Sequence, residues 1–253
     1  MSRPVILITG AAGGVGSALW PSFAQDFDLR LFDVVRVGDL PDGVSGVVGD
    51  ITDRADLRSA MEGADAVVHL AGDRRTIATW PELTGPNLVG LHTVVETAAE
   101  VGVPRVVLAS SCHASGRYDV ERVPRVDPAW VARPCCRYGA TKAYGETVGR
   151  FYAETSGLQV IALRLGAVAP LPIGPMGVAF WLSLDDLYRV FAGALRTTAG
   201  FGIYYAGSAN VRDRWNLEPG ERDLGFYPQD DSADHLAGVD FSLGVQPCYR
   251  GAL

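Results

Sequence analysis

The sequence predicts a doubly wound α/β fold, in which helices cover both faces of a parallel β-sheet. Short apolar runs, typical of buried parallel strands, alternate with segments of helical periodicity as far as Arg164. A glycine-rich turn separates the first of these strands from the first helix. The chain has 253 residues, 48% of them hydrophobic, which is enough for one domain of this class with a sizeable core.

The predicted strands and helices follow one another in chain order. Six strands are expected, at Pro4–Thr9, Leu29–Phe32, Gly46–Val48, Ala66–Leu70, Arg105–Ala109 and Gln159–Leu163. Helices are expected at Val15–Phe27, Asp53–Met61, Pro81–Val101 and Tyr138–Thr155, with a break in the third near Gly85-Pro86. Residues Val123–Pro134 are rich in proline and arginine and predict a loop. This alternation implies right-handed crossovers and a parallel sheet.

The composition changes after Arg164. Ala169–Gly177 contains three prolines and two glycines and predicts a loop over the carboxyl edge of the sheet. Leu184–Thr197 predicts an amphipathic helix, Ile203–Ala206 a short strand, and the remainder is polar and rich in turns. We therefore expect a single domain, with a nucleotide-binding core at residues 1–165 and a small C-terminal cap over the substrate at residues 166–253.

Charge and hydropathy exclude several classes of partner. The net charge is −7 and no basic block is present, so a nucleic acid is not an expected partner. No apolar run approaches the roughly 18 residues of a membrane span, and we expect a cytoplasmic protein. The cysteines at 112, 135, 136 and 248 show no C-x-x-C spacing, and no His/Asp/Glu cluster has the spacing of metal ligands. The prediction is therefore reduced thiols and no metal site.

The glycine-rich turn has the spacing of a dinucleotide-binding motif. Gly10, Gly13 and Gly16 form a G-x-x-G-x-x-G pattern, and Gly14 and Val15 begin the helix that follows. Such glycines permit a tight turn and a close approach to a pyrophosphate, whose charge the helix N-terminus stabilises. The position between the first strand and the first helix predicts a Rossmann-type nucleotide site.

Residues at the ends of the next strands complete the predicted cofactor site. Asp33 lies about 20 residues beyond the glycines, where a carboxylate accepts hydrogen bonds from ribose hydroxyls and repels a 2′-phosphate. This favours NAD over NADP, although Arg36 nearby argues the other way. Further cofactor contacts are expected at Asp50 and Ile51 beside the adenine, and at Leu70, Ala71 and Gly72 at the end of the fourth strand.

Tyr138 and Lys142 predict the chemistry of the site. Their Y-x-x-x-K spacing places both side chains on one face of a helix, and Lys142 is the only lysine in the chain. An ammonium group lowers the pKa of a neighbouring tyrosine, about 10 when free, so that Tyr138 can take a proton from a substrate hydroxyl. Lys142 can also hold the nicotinamide ribose. Ser111, with Ser110 as the alternative, is expected to hydrogen-bond the substrate oxygen.

Together these motifs resemble the extended short-chain dehydrogenases/reductases, the NAD-dependent epimerase/dehydratase branch. The resemblance runs from about Val5 to Pro228 and also includes Asn87, Arg164-Leu165 and Leu224-Gly225-Phe226-x-Pro228. Within the branch the chain is most similar to the bacterial uronate dehydrogenases, through its short length, Ser111-x-His113, Trp181-x-Ser183-x-Asp185-Asp186 and the residues around Ser208-Ala209-Asn210.

The resemblance implies an activity and a set of site residues. Uronate dehydrogenases oxidise C1 of an aldohexuronic acid to a lactone with NAD, so the expected function is NAD-dependent oxidation of a sugar or sugar-acid hydroxyl. Ser111, Tyr138 and Lys142 are implied as the catalytic triad. Asn87 and Leu165 are implied as further cofactor contacts. His113 is a candidate substrate contact because it adjoins Ser111, and Cys112 could line the substrate pocket.

The chain departs from that family at the substrate end of the site. Cys112 stands where these enzymes have Asn, and Ala167 stands at or beside a position where they have Ser. Met176 stands where an Arg grips the substrate carboxylate, and loss of that Arg removes a strong charge-assisted contact. Arg74 or Arg75, just after the fourth strand, is the candidate replacement.

Two other functions share much of this pattern. A nucleotide-sugar epimerase or dehydratase would use the same triad, but only about 90 residues follow Arg164 to hold the nucleotide. A non-catalytic NAD-sensing protein would need no base, and the intact Tyr138–Lys142 pair argues against it. The resemblance also implies a homodimer, formed through the Pro81–Val101 and Tyr138–Thr155 segments.

Overall fold

The computed structural model describes residues 3–172, 174–210 and 214–237. Its strands are β1 Val5–Thr9, β2 Asp28–Asp33, β3 Val44–Val48, β4 Ala66–His69, β5 Arg105–Ser111, β6 Gln159–Leu165, β7 Ala167–Val168, β8 Trp181–Leu182 and β9 Phe201–Ala206. In this part of the chain seven parallel strands form one sheet, in the order β3-β2-β1-β4-β5-β6-β9. The two short strands β7 and β8 pair with each other.

Helices cover both faces of this sheet, as in a Rossmann-type fold. They are α1 Gly14–Phe23, α2 Arg54–Met61, α3 Trp80–Leu83, α4 Leu91–Val101, α5 Gly116–Val120, α6 Arg137–Ser156, α7 Gly174–Phe180, α8 Leu184–Arg196 and α9 Glu218–Leu224. Because both faces are covered, strand side chains are buried in both directions. On β1, for example, neighbouring Leu7 and Ile8 are fully buried in two different hydrophobic clusters.

The prediction of a break in the third helix was wrong. Thr84–Gly90 forms a π-helical segment that joins α3 to α4 without interruption. A π-helical turn has a wider hydrogen-bonding pattern than an α-helix, so it tolerates Pro86, which lacks a backbone N–H. Apolar periodicity does not distinguish a bulged helix of this kind from a broken one.

Several short elements lie where loops or unstructured turns were expected. α7 occupies the second half of the proline-rich segment, and β7 and β8 flank that segment. α5 and α9 are also short, with five and seven residues. Elements of this length are too short to show a clear periodicity in the sequence.

Part of the segment after residue 165 belongs to the central sheet and its helical layer. β9 pairs with β6 at the edge of the sheet. In α8, Leu187, Val190 and Phe191 are fully buried in the same cluster as Phe23 of α1. That the proline-rich segment and the turn-rich residues after β9 cover the carboxyl edge stays a prediction. Among the described residues, no helix combines the length and the apolar character needed to cross a membrane.

A buried ion pair joins α6 to the sheet. Arg164 of β6 donates from Nε and a terminal nitrogen to the two carboxylate oxygens of Glu146, each at 2.8 Å. The exposed fractions of the two side chains are 1% and 4%. Glu146 also accepts a hydrogen bond from the Ser110 hydroxyl at 2.6 Å. Removal of one partner of such a pair leaves an uncompensated buried charge.

We expect Glu146→Gln to destabilise the protein by about 3–5 kcal/mol, because it leaves the Arg164 charge without a counter-ion. The measurement is the free energy of unfolding from urea denaturation. Glu154→Gln is the matched control: the same substitution on the same helix removes an exposed pair with Arg150 and should cost about 1 kcal/mol or less. Equal effects of the two substitutions would contradict the assignment.

Candidate active site

The glycine-rich turn packs tightly against the end of β4. Gly10 has φ +74°, and a Cβ atom there would lie 2.5 Å from the backbone nitrogen of Ala71. A Cβ atom on Gly16 would lie 2.3 Å from the carbonyl oxygen of Gly10. Gly13 is the N-cap of α1, and Gly14 faces open space. The turn therefore requires glycine at positions 10 and 16 and leaves the helix N-terminus accessible to an anion.

Asp33 lies beside this turn at the carboxyl end of β2. Its carboxylate accepts hydrogen bonds from the backbone N–H groups of Ala12 at 2.9 Å and Val35 at 3.2 Å. These contacts fix the carboxylate, and its remaining lone pairs can accept hydrogen bonds from two ribose hydroxyls. The geometry thus fits NAD at the position that the sequence predicts.

A cleft of about 600 Å³ extends from the glycine-rich turn along the carboxyl edge of the sheet. The predicted cofactor residues that line it are Gly10, Gly13, Asp33, Asp50, Ile51, Leu70, Ala71 and Gly72. Its size is typical of a site for a small molecule or cofactor. The Asp50 carboxylate accepts hydrogen bonds from the backbone N–H and the hydroxyl of Thr52, so it stabilises its own turn at the edge of the cleft.

Asn87 connects the loop after β4 to α6. Its amide oxygen accepts from the Asp73 N–H at 2.7 Å, and its amide nitrogen donates to the Asp73 carbonyl at 2.9 Å and to the Thr141 hydroxyl at 3.1 Å. The side chain is 4% exposed. It therefore holds the backbone of the cleft in place.

Leu165, another predicted cofactor contact, lies at the end of β6 and is buried.

The fold brings Ser111, Tyr138 and Lys142 together. Ser111 ends β5, and the other two lie on the first turns of α6. The Ser111 and Tyr138 side chains share a hydrogen bond. The Lys142 ammonium donates to the carbonyl of Ala109 at 2.8 Å and lies 5.6 Å from the centroid of the Tyr138 ring.

The structure decides between the two serines. The Ser110 hydroxyl donates to Glu146 in the buried network between α6 and β6. The Ser111 hydroxyl instead faces Tyr138 and also accepts from the backbone N–H of His113 at 3.2 Å. Ser111 is therefore the hydroxyl in the site, and Ser110 helps to anchor α6.

Burial sets the ionisation of the two central side chains. Burial raises the pKa of Tyr138 above its usual value, while the hydrogen bond from Ser111 and the positive charge of Arg74 lower it. Burial lowers the pKa of Lys142 to about 8. Lys142 is therefore still largely protonated at neutral pH and supplies a positive charge close to the Tyr138 ring.

The two candidate arginines have different surroundings. The guanidinium of Arg75 is held by the carboxylates of Asp73 and Glu82. Arg74 is exposed, its charge acts on Tyr138, and no hydrogen bond or ion pair engages it within residues 3–172, 174–210 and 214–237. Arg74 is thus the arginine with a guanidinium available to a substrate.

Two of the remaining substrate candidates, His113 and Cys112, lie near Tyr138, and the third is Met176. The His113 ring packs edge-on against the Tyr138 ring, with 5.8 Å between centroids, and its Nδ1 is 3.2 Å from the Cys135 sulfur. Cys112 is partly buried and acts electrostatically on Tyr138. The backbone of Met176 belongs to α7, and its side chain lies outside the described part of the structure.

Two cysteines at the start of α6 were not predicted to belong to the site. Cys136 is the N-cap of α6, and its sulfur accepts from the backbone N–H of Gly139 at 3.4 Å. Together with His113 and Cys135 it forms a group whose potential ligand atoms lie within 4.8 Å of one another. The expectation of no such group was based on sequence spacing, which does not show that the loop before α6 returns to His113. The signal available was the position of both cysteines within three residues of Tyr138.

Residues 6–170 match the sequence model of the NAD dependent epimerase/dehydratase family. The chain belongs to this family. An NAD-dependent glucose-6-phosphate dehydrogenase of Haloferax volcanii is 35% identical over 252 residues, covering 92% of this chain and 96% of that protein. A uronate dehydrogenase of Pseudomonas putida is 34% identical over 238 residues, covering 93% and 87%. The crystal structure of a glucuronic acid dehydrogenase from Chromohalobacter salexigens superposes with a TM-score of 0.90 at 30% identity, covering 98% and 95%.

The predicted family, Rossmann-type fold, NAD cofactor and enzyme class are thereby confirmed. The roles of the individual site residues stay predictions.

Proposed function

We propose that this family member oxidises a hydroxyl group of a sugar or sugar acid, with NAD as the hydride acceptor. The observation that carries the proposal is the arrangement of Ser111, Tyr138 and Lys142 at the carboxyl edge of the sheet, next to the cleft that contains Asp33. Relatives of about one-third identity named for such dehydrogenations support it.

Each of the three side chains has a role in moving one proton. The Tyr138 oxygen accepts the proton of the substrate hydroxyl, and the Lys142 ammonium stabilises the negative charge on that oxygen. The Ser111 hydroxyl hydrogen-bonds the substrate oxygen as it becomes a carbonyl. When bound in the cleft, NAD supplies the acceptor for the hydride. Lys142 is buried and Tyr138 partly buried, so a bound substrate would exclude water from the path of the proton.

We further propose that the substrate carries a negative charge, which Arg74 binds. A uronate carries a carboxylate and a sugar phosphate carries a phosphate, and a guanidinium binds either through paired hydrogen bonds. Of the two candidates, Arg74 is the one with a free guanidinium in the described part of the chain, because Arg75 is engaged by Asp73 and Glu82.

We propose that the enzyme is a homodimer that buries one face of α3, α4 and α6. Trp80, Val89, Tyr144 and Phe151 are each at least 37% exposed and lie on these helices or on the π-helical segment between α3 and α4. A contiguous patch of exposed apolar side chains marks an interaction site, and these four are the candidates for one. Light scattering should give twice the chain mass of 26.9 kDa, and a monomer at micromolar concentration would rule this face out.

The first experiment is NADH formation from NAD with a panel of uronates, hexose phosphates, neutral aldoses and cyclitols. Turnover of an anionic sugar is expected. Turnover of neutral sugars alone would contradict the role of Arg74 but keep the dehydrogenase. A nucleotide-sugar epimerase or dehydratase would release no net NADH, and an NAD-sensing protein would bind NAD without turning over any substrate.

Tyr138→Phe should lower the rate of NADH formation by about 10²–10⁴-fold, because it removes the proton acceptor. NAD binding, measured by intrinsic fluorescence, should persist. Tyr152→Phe is the matched control, since Tyr152 lies on the same helix and its hydroxyl donates to Glu96. Similar activity of the two variants would exclude Tyr138 as the base.

Arg74→Gln should raise the KM for the anionic substrate by about 10- to 100-fold, since a hydrogen bond to a charged group contributes about 1.5–3 kcal/mol. Arg75→Gln, the adjacent control, should change KM little because its guanidinium is already paired. The measurement is the KM of both variants from steady-state kinetics. A larger increase in KM for Arg75→Gln than for Arg74→Gln would assign the anion contact to Arg75 instead.

A further inference from the structure

A compact group of soft metal ligands lies beside Tyr138. One ring nitrogen of His113 and the sulfur atoms of Cys135 and Cys136 lie within 4.8 Å of one another. His113 and Cys135 are partly exposed and Cys136 is buried, so the group has one side open to solvent. None of the three is needed for the proton transfer proposed above.

The surrounding backbone holds this group in a fixed geometry. A Cβ atom on Gly139 would lie 2.2 Å from the His113 carbonyl oxygen, so the first turn of α6 packs directly on that residue. The Cys135 N–H donates to the same carbonyl at 3.3 Å. A Cβ atom on Gly116 would lie 2.6 Å from the Cys135 sulfur. Two segments that are 22 residues apart in sequence are thus tied together around the three side chains.

The local electrostatics favour metal-ligating forms of these side chains. Cys136 caps the N-terminus of α6 and accepts from the Gly139 N–H, a position that stabilises a thiolate. His113 Nδ1 already lies 3.2 Å from the Cys135 sulfur. Tetrahedral zinc bonds of about 2.0–2.3 Å place ligand atoms roughly 3.3–3.8 Å apart, so side-chain adjustments of about 1 Å complete the site.

We propose that His113, Cys135 and Cys136 form a binding site for one thiophilic metal ion, with Zn²⁺ as the ion that best matches two thiols and an imidazole. Binding releases one proton from each thiol and forms two metal–sulfur bonds and one metal–nitrogen bond. The fourth tetrahedral position stays open to water. Two thiolates balance the charge of the ion, so the bound site is electrically neutral.

Occupancy has a consequence for catalysis, and this step rests on the proposed function. The metal fixes the His113 ring, which packs against Tyr138 and follows Ser111 by two residues. A substrate that needs His113 to move or to donate then meets an immobilised ring. We therefore expect Zn²⁺ to inhibit NADH formation and a chelator to restore it.

The test of the site uses Co²⁺ as a spectroscopic probe and needs no substrate. The full-length protein, with its thiols reduced, should bind one equivalent of Co²⁺ with a thiolate charge-transfer band and the visible bands of tetrahedral coordination, and Zn²⁺ should displace it. Cys135→Ser and Cys136→Ser should each abolish the band. Each should also weaken Zn²⁺ binding by more than about 100-fold, the upper end of what loss of an outer-shell partner costs.

Matched variants separate ligation from folding. Ser retains an N-cap acceptor at position 136, and NAD binding by each variant shows that it is folded. Cys112→Ser, which replaces a cysteine outside the group, should keep the Co²⁺ spectrum. Absence of the band in the unsubstituted protein, its persistence in both single variants, or its loss in Cys112→Ser would overturn the proposed ligand set.

The activity measurement distinguishes failure of this proposal from failure of the proposed function. Zn²⁺ should slow NADH formation by the unsubstituted protein and leave Cys135→Ser unaffected. Metal binding without inhibition would keep the site and overturn the consequence for catalysis. Absence of NADH formation with every substrate would count against the dehydrogenase and leave the Co²⁺ result valid.

Discussion

The site depends on how closely α6 packs against the sheet, the segment after β5 and α4. Added Cβ atoms on Gly139, Gly145 and Gly149 would approach the His113 carbonyl, Leu91 and Val160 to 2.2, 2.5 and 2.8 Å. Each glycine inside a helix costs about 1 kcal/mol relative to alanine. The helix contains three of them because a side chain would push it away from the segment after β5 at Gly139, from α4 at Gly145 and from the sheet at Gly149. This short separation places Tyr138 against Ser111 and brings Lys142 to the carbonyl of Ala109.

The buried ion pair sets the position of α6 along the same edge. Glu146 accepts from Arg164 of β6 and from Ser110 of β5, so one carboxylate connects the helix to two neighbouring strands. A terminal nitrogen of Arg164 also donates to the Tyr205 hydroxyl at 3.5 Å. The Tyr205 hydroxyl in turn shares a hydrogen bond of 2.6 Å with the Ser115 hydroxyl. Ser115 precedes α5, so the network also reaches the segment that carries His113. Rotation or sliding of α6 would break several buried polar contacts at once, each costly to leave unmade.

Local features of the site could be predicted from the sequence, and features that depend on distant partners could not. The glycine-rich turn and Asp33 follow from spacing alone, because the turn, the helix N-terminus and the strand end belong to one β–α–β unit. The choice of Ser111 over Ser110 depends on Glu146, 36 residues from Ser110. The choice of Arg74 over Arg75 depends partly on Glu82 of α3. In each case two adjacent residues of the same type differ in a contact with a residue that is distant in sequence or belongs to another element.

The same limit applies to the fold. The strands of the sheet and the long helices have clear periodicity and were predicted within a few residues of their observed bounds. The π-helical segment, α7 and the β7–β8 pair carry no distinct pattern, because two or seven residues sample too little of a strand or helical period. The proximity of His113 to Cys135 and Cys136 could not be predicted from the sequence either. It results from a loop that leaves β5 and returns to start α6.

The charges beneath Tyr138 explain why the only lysine of the chain stands at position 142. His69, at the end of β4, is buried and hydrogen-bonded through Nδ1 to the Thr9 hydroxyl at 2.8 Å. Burial and the nearby Lys142 lower the pKa of His69 to about 3, so His69 is neutral at physiological pH. Lys142 is thus the cation of this pair, and its own pKa falls to about 8 because it is desolvated. A planar guanidinium would need more donors satisfied than the single Ala109 carbonyl provides, and it would not lose its proton. A compact ammonium fits this buried position. Because the pKa of Lys142 is lowered to about 8, the positive charge next to Tyr138 is lost at a pH only slightly above neutral.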